Sequence, residues 1–266
     1  MLEPLPTLHP PRRPPDRLAR NLPASVALDC LRAGWRDFRS NPGSSLAYGL
    51  ILFAISVTVI WALHLSGLLY LALPALSGFL IVGPFLAIGL YRKSKALSEG
   101  QAPSLSAMIF FRPAAGAQLA YAGLMLCLLL LFWLRMADLL YALFFGMIPF
   151  PGAAEALVNT LTTPRGWALL LTGSVIGGLF AGFAFAISVF SVPMLVFERR
   201  DALTAIGLSF ALTMRNLPPV LAWGAIVTIG LAISGLTGLV ALIVVFPVLG
   251  HGTWHLFRKL SPPEAA

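Results

Sequence analysis

Long apolar runs, each closed by a cluster of cations, set the rhythm of this chain. Gly83-Pro84-Phe85-Leu86-Ala87-Ile88-Gly89-Leu90-Tyr91 stops at Arg92, Lys93 and Lys95. Val192-Pro193-Met194-Leu195-Val196-Phe197 stops at Arg199 and Arg200. Phe246-Pro247-Val248-Leu249 runs on to His251, Trp254, His255, Arg258 and Lys259. Roughly 20 apolar residues suffice to carry an α-helix across a hydrocarbon core. The pattern predicts six such spans, at 44–65, 69–91, 115–134, 167–197, 218–234 and 236–256. The run from Pro218 to Gly250 is too long for one crossing, and Ser234-Gly235-Leu236-Thr237-Gly238 supplies the dividing turn. The expected fold is all-α: a polytopic membrane bundle of six transmembrane helices in three hairpins, joined by amphipathic cytoplasmic helices.

Two segments flank or link these spans. Residues 1–24, rich in proline and arginine, bury too little apolar surface to offset their ordering entropy and read as a disordered cytoplasmic tail. Residues 25–260 form the membrane domain. At its start Leu28, Leu31, Trp35 and Phe38 recur at helical spacing, with Arg32, Arg36 and Arg39 on the neighbouring face. That pattern predicts a helix lying in the headgroup region, and it is equally compatible with packing on the bundle's rim. Asn41-Pro42-Gly43 ends the helix and turns the chain inward.

The unit of cytoplasmic helix plus membrane hairpin is written three times. Leu46-Ala47-Tyr48-Gly49, Leu119-Ala120-Tyr121-Ala122-Gly123 and Leu221-Ala222-Trp223-Gly224 open spans one, three and five. Pro84, Pro193 and Pro247 sit near the cytoplasmic ends of spans two, four and six. True repetition and convergent interfacial anchoring both accommodate this similarity.

Composition agrees with a membrane protein: 58% of the 266 residues are hydrophobic and 11% charged, against roughly 25% charged in soluble domains. The net charge of +8 would suit a nucleic-acid binder, but the cations are not gathered on one recognition face. Sixteen of the eighteen lie on the connections of one side, leaving only Arg135 and Arg165 on the other. The positive-inside rule makes that side cytoplasmic, with both termini inside, as in a bacterial inner-membrane protein. Nucleic acid is excluded as a partner; the bilayer and its anionic headgroups are the expected ones, with a membrane-protein partner or homodimer beside them. Cys30 lies ahead of the first span and Cys127 within the third, a placement unsuited to a disulfide. The first forty residues contain no apolar signal-peptide core, so the first span is expected to direct insertion.

Candidate chemistry is sparse. Arg135 and Asp138, at i,i+3, form either a relay in the bundle or a pair marking the far membrane boundary. His251 and His255, at i,i+4, project from one helix face in the spacing of a haem- or metal-binding pair, and equally in that of interfacial side chains beside Trp254. No further ligands complete a metal site, and no resident cofactor is expected. Gly173, Gly177, Gly178 and Gly182 lie on rows of small residues that permit close helix packing. The sequence lacks a Walker lysine, a GxSxG elbow, an HExxH helix and paired carboxylates, which argues against an enzyme.

Several segments together resemble a known family: Trp35-x-x-Phe38 leading to Pro42 and Ser45-Leu46-Ala47-Tyr48-Gly49; Gly83 to Tyr91 with Ser94 and Leu97-Ser98-Glu99-Gly100; Leu139 to Gly146; and Val245 to His255. They are similar to the bacterial domain of unknown function 2189 family, over roughly Ser25 to Lys259. The resemblance implies a polytopic inner-membrane protein without an established activity; some members carry a cytochrome c oxidase subunit label. The leading functional expectation is a non-enzymatic membrane scaffold or assembly partner. A small-solute or ion transporter using Arg135 and Asp138, and a respiratory-chain-associated haem or metal protein using His251 and His255, are the alternatives.

Overall fold

Two asparagine junctions show how the chain turns from short helices into long ones. Asn41 (φ −148°) and Asn216 (φ −134°) leave helical geometry for one residue, and a proline in the first turn then starts the next helix. The computed structural model describes residues 18–146 and 152–261, which contain helices and no strand. In chain order these are α1 Val26–Ser40, α2 Pro42–Leu65, α3 Ala72–Ser77, α4 Phe79–Leu86, α5 Ile88–Ser98, α6 Leu105–Ile109 and α7 Gly116–Phe145. They are followed by α8 Ala153–Thr162, α9 Pro164–Ser188, α10 Ser191–Phe197, α11 Ala202–Arg215, α12 Leu217–Leu236 and α13 Leu242–Leu260. Hydroxyl and carboxylate caps begin three of them, Ser104 accepting from the Ala107 N–H, Thr163 from the Gly166 N–H and Asp201 from the Thr204 N–H.

Among the described residues, four helical stretches are long and apolar enough to cross a membrane: α2, α7, α9 with α10, and α12. A fifth is present if Leu69–Ser77 and Phe79–Leu86, bent by 56° at Gly78, count as one span. The expected sixth span falls on α13, which is outside this set because its second half carries His251, Thr253, His255, Arg258 and Lys259. The third span also differs from expectation. Instead of stopping at Leu134, α7 continues through Arg135 and Asp138 to Phe145. At 1.5 Å per residue its 30 residues span about 45 Å, more than the ~30 Å hydrocarbon core, so its charged turn extends beyond the apolar stretch. Residues 147–150, expected as the end of that extension, lie outside the described residues, as do residues 1–17 of the tail.

Prolines end the second and fourth spans by breaking them. α4 gives way to α5 at Ala87, three residues after Pro84, and α9 gives way to α10 just before Pro193. Each break frees backbone groups that must find partners inside a bundle. At the second break Ser209 of α11 does so from both sides: its hydroxyl accepts from the Phe190 N–H and donates to the Ala186 carbonyl.

Beyond the breaks, α5, α10 and the second half of α13 form the most buried part of the molecule. Leu90, Tyr91, Val192, Met194, Leu195, Leu256 and Phe257 are fully or almost fully buried there. Three short helices pack on them in a regular order. α6 lies on α5, α11 on α10, and α1 on α13. α6 and α11 thus each pack on the helix that follows a break, and α1 packs on α13. The α1–α13 crossing is a backbone contact. A Cβ on Gly34 would stand 2.5 Å from the Val248 carbonyl oxygen and 2.6 Å from the Gly252 nitrogen. α2 approaches α13 in the same way, with Gly49 against Ile243.

Leu18 to Ala24, expected to belong to the disordered tail, are held against this end. Asn216 donates its side-chain amide to the Leu18 carbonyl and accepts from the Arg20 N–H, and the Arg20 guanidinium donates to the Ser261 carbonyl.

Candidate functional site

Where α1, α2, α5 and α13 meet, the packed core contains a chain of polar side chains. Lys93, within the Arg92-Lys93-Ser94-Lys95 cluster, does not face water like its neighbours: it is completely buried. Helical spacing places it on the face of Gly89 and Leu90, both buried, while Arg92 and Lys95 turn outward. Its ammonium donates to the Asn41 carbonyl, to Ser44 Oγ at 2.9 Å and to Ser45 Oγ at 2.7 Å, so all three hydrogens are used. Ser45 Oγ lies 2.9 Å from His251 Nε2, and Ser94 Oγ lies 2.7 Å from His251 Nδ1. Beside them the Asp37 carboxylate receives His255 Nε2 at 2.9 Å.

One assignment of hydrogens suits this chain. Lys93 donates to Ser45, Ser45 to His251 Nε2 and His251 Nδ1–H to Ser94, while Asp37 accepts from His255. Burial drives the Asp37 carboxyl upward, but the hydrogen bonds from His255 and Ser94 outweigh it and hold the group below its usual range. Burial pushes the Lys93 ammonium down to about 8, with the Asp37 charge acting in the opposite direction. Chemically, the arrangement is a satisfied polar pin that ties the α1–α2 elbow to α5 and α13. Unlike a reactive serine–lysine or serine–histidine pair, Ser45 is sealed from solvent.

The structure therefore places the two histidines in separate roles. His251 has both ring nitrogens occupied by serine hydroxyls, whereas His255 pairs with Asp37 and is partly exposed. Among the described residues no cluster of three or more His, Cys, Asp and Glu side chains has the arrangement of a metal site. Lys93, Ser94, Ser45 and Asp37 escaped the sequence reading. Continuing the helical phase of Gly89 and Leu90 into the cationic run would have singled out Lys93.

The other candidate residues are dispersed. Arg135 Nη1 stands 3.8 Å from Asp138 Oδ2, with the arginine side chain 84% exposed, and Tyr70 donates to Asp138 Oδ1 at 3.0 Å. The pair sits on the outer surface of α7, beside the ring contacts of Tyr70, Tyr141 and Phe145. Of the small residues on α9, Gly177 receives the Trp133 ring, where a Cβ would come within 2.7 Å. Gly173, Gly178 and Gly182 have no such neighbour within 4 Å. On α1 the buried face consists of Val26, Ala27, Cys30, Ala33, Gly34 and Phe38. Leu28 and Trp35 instead point outward, 49% and 44% exposed, beside exposed Arg32, Arg36 and Arg39, while Leu31 is half-buried. The expected apolar face is thus split, because small residues permit the backbone contact with α13 that leucine and tryptophan would prevent.

These features define a helical integral membrane protein with several apolar spans and a densely packed end carrying most of its cations. The chain resembles the family described as predicted integral membrane protein (DUF2189), whose model matches residues 71–196, from the first bent span through α10. The match is narrower than the stretch of likeness read from the sequence and leaves out α1, α2, α11, α12 and α13. Comparison with curated proteins and with solved structures gives no match.

Proposed function

We propose that this is a non-enzymatic scaffold or assembly protein of a bacterial inner membrane, with six spans and the cation-rich end in the cytoplasm. The sixth span in this reading covers 236–256, the turn before α13 and most of that helix. The observation that carries the proposal is the outward face of α1. Leu28 and Trp35, framed by Arg32, Arg36 and Arg39, are presented by a helix whose other side is locked to α13 through Gly34. A rigid helix offering aromatic and arginine side chains at the membrane boundary has the composition of an interaction surface. Arg135 and Asp138 favour this reading over a transporter, because a relay would need them to line a cavity and Arg135 faces outward.

The test is a photoreactive amino acid at position 35, irradiated in native membranes, with native gel electrophoresis of the same material. The expected result is one discrete protein adduct and an assembly larger than the monomer, both lost in Arg32→Gln/Arg36→Gln/Arg39→Gln. Lipid adducts alone, with a monomer unaffected by the triple substitution, would overturn the scaffold reading.

A further inference from the structure

A second cation cluster at the same end is built differently from that of α1. Arg92 and Lys95 project from the outward face of α5, and each is held over an aromatic ring from another segment. The Arg92 guanidinium lies 4.7 Å from the centre of Phe111, and the Lys95 ammonium 4.8 Å from that of Phe197. Two backbone hydrogen bonds, from the Ala114 and Ala115 N–H groups to the Val196 and Leu195 carbonyls, lay the segment after Arg112 beside the one leading to Arg199. These contacts bring together the segments that carry Arg92, Lys95, Arg112 and Arg199. Arg200 is satisfied by Glu198, but among the described residues Arg92, Lys95, Arg112 and Arg199 have no carboxylate within ion-pair distance. Next to Phe111 in the chain, Phe110 is 81% exposed and Ile109 42% exposed, a few residues ahead of the apolar helix α7.

We propose that this cluster is a specific site for an anionic phospholipid, its phosphate held by Arg92, Lys95 and Arg112 and its acyl chain lying against Phe110 and Ile109. The charge and the apolar shelf together select an amphipathic anion over a soluble one. Rings that hold two of the cations in place reduce the ordering cost of binding. The site requires only that this end meets the cytoplasmic leaflet, and so rests on the orientation proposed above. It does not require the scaffold role.

Bound lipid can be counted by native mass spectrometry of protein released from bilayers of phosphatidylcholine doped with phosphatidylglycerol. Inorganic phosphate, and phosphatidylcholine alone, serve as comparisons. Retention of phosphatidylglycerol is expected, weakened roughly thirtyfold in Arg92→Gln/Lys95→Gln, for two cations near the surface. Phe111→Leu/Phe197→Leu keeps every charge and is expected to weaken retention several-fold; it decides the matter if the first variant does not fold. Arg32→Gln/Arg36→Gln/Arg39→Gln is expected to leave this lipid bound, so failure of the α1 reading is seen separately. Equal retention in the wild type and both α5-site variants would overturn the proposal, as would inorganic phosphate binding as well as the lipid.

Discussion

Replacing Gly34 by alanine tests the α1–α13 clasp on which the proposed interaction surface depends. The new Cβ would lie 2.5 Å from the Val248 carbonyl oxygen and 2.6 Å from the Gly252 nitrogen, where real Cβ atoms essentially never approach within 3.0 Å. Both obstacles are backbone atoms of α13, so no side chain can rotate away. Overpacking of this kind costs about 1–3 kcal/mol, from which the better helix propensity of alanine recovers roughly 0.5–1 kcal/mol. Cys30 provides the assay. It is fully buried in the same interface, its carbonyl oxygen 3.2 Å from the position a Cβ on Gly252 would take, and burial pushes its thiol up to about 11. In a Cys127→Ser background a maleimide can label it only when α1 lifts, so the labelling rate measures the opening equilibrium. A net loss of about 0.5–2 kcal/mol predicts labelling roughly two- to thirtyfold faster in Gly34→Ala. An unchanged rate would mean that α1 does not pack on α13 through Gly34.

Lys93→Met should remove a pH dependence. With Lys93 near 8 in the folded protein against an ordinary 10.5, the unfolded chain holds the extra proton between those values. Wild-type stability should therefore rise across that window, and thermal unfolding of the methionine variant should lose the rise. Ser209→Ala would leave the Phe190 N–H and the Ala186 carbonyl without that hydroxyl at the break in the fourth span, and denaturant unfolding in detergent should show a loss of about 1–3 kcal/mol. Arg135→Ala, which removes a side chain 84% exposed, should change stability by no more than about 0.5 kcal/mol in the same assay.

The spans were legible because each depends on one property, a run of apolar residues about as long as a membrane is thick. Their exact ends were less so. Arg135 and Asp138 looked like a stop, yet a helix tolerates charged residues once its turns pass beyond the hydrocarbon, and α7 continues. The polar site was almost illegible. His251 was visible as a histidine in an apolar run, but its partners Ser45 and Ser94 lie 206 and 157 residues away and have no pattern of their own. Lys93 was hidden among true surface cations. On α1 the large apolar residues attracted attention, whereas Gly34 and Ala33, which have little hydrophobic weight, make the closest packing. Close backbone approach is specified by the absence of side chains, which a hydrophobic pattern does not register.

The orientation of the cation-rich end underlies both proposed surfaces, and cysteine labelling in intact cells tests it directly. In a Cys30→Ala/Cys127→Ser background, Ser66→Cys sits at the exposed turn after α2, and Gln101→Cys in the exposed turn after α5. With the basic end in the cytoplasm, a membrane-impermeant maleimide should label Ser66→Cys from outside and reach Gln101→Cys only after the membrane is opened. Labelling of Gln101→Cys in intact cells, with Ser66→Cys protected, would contradict the account.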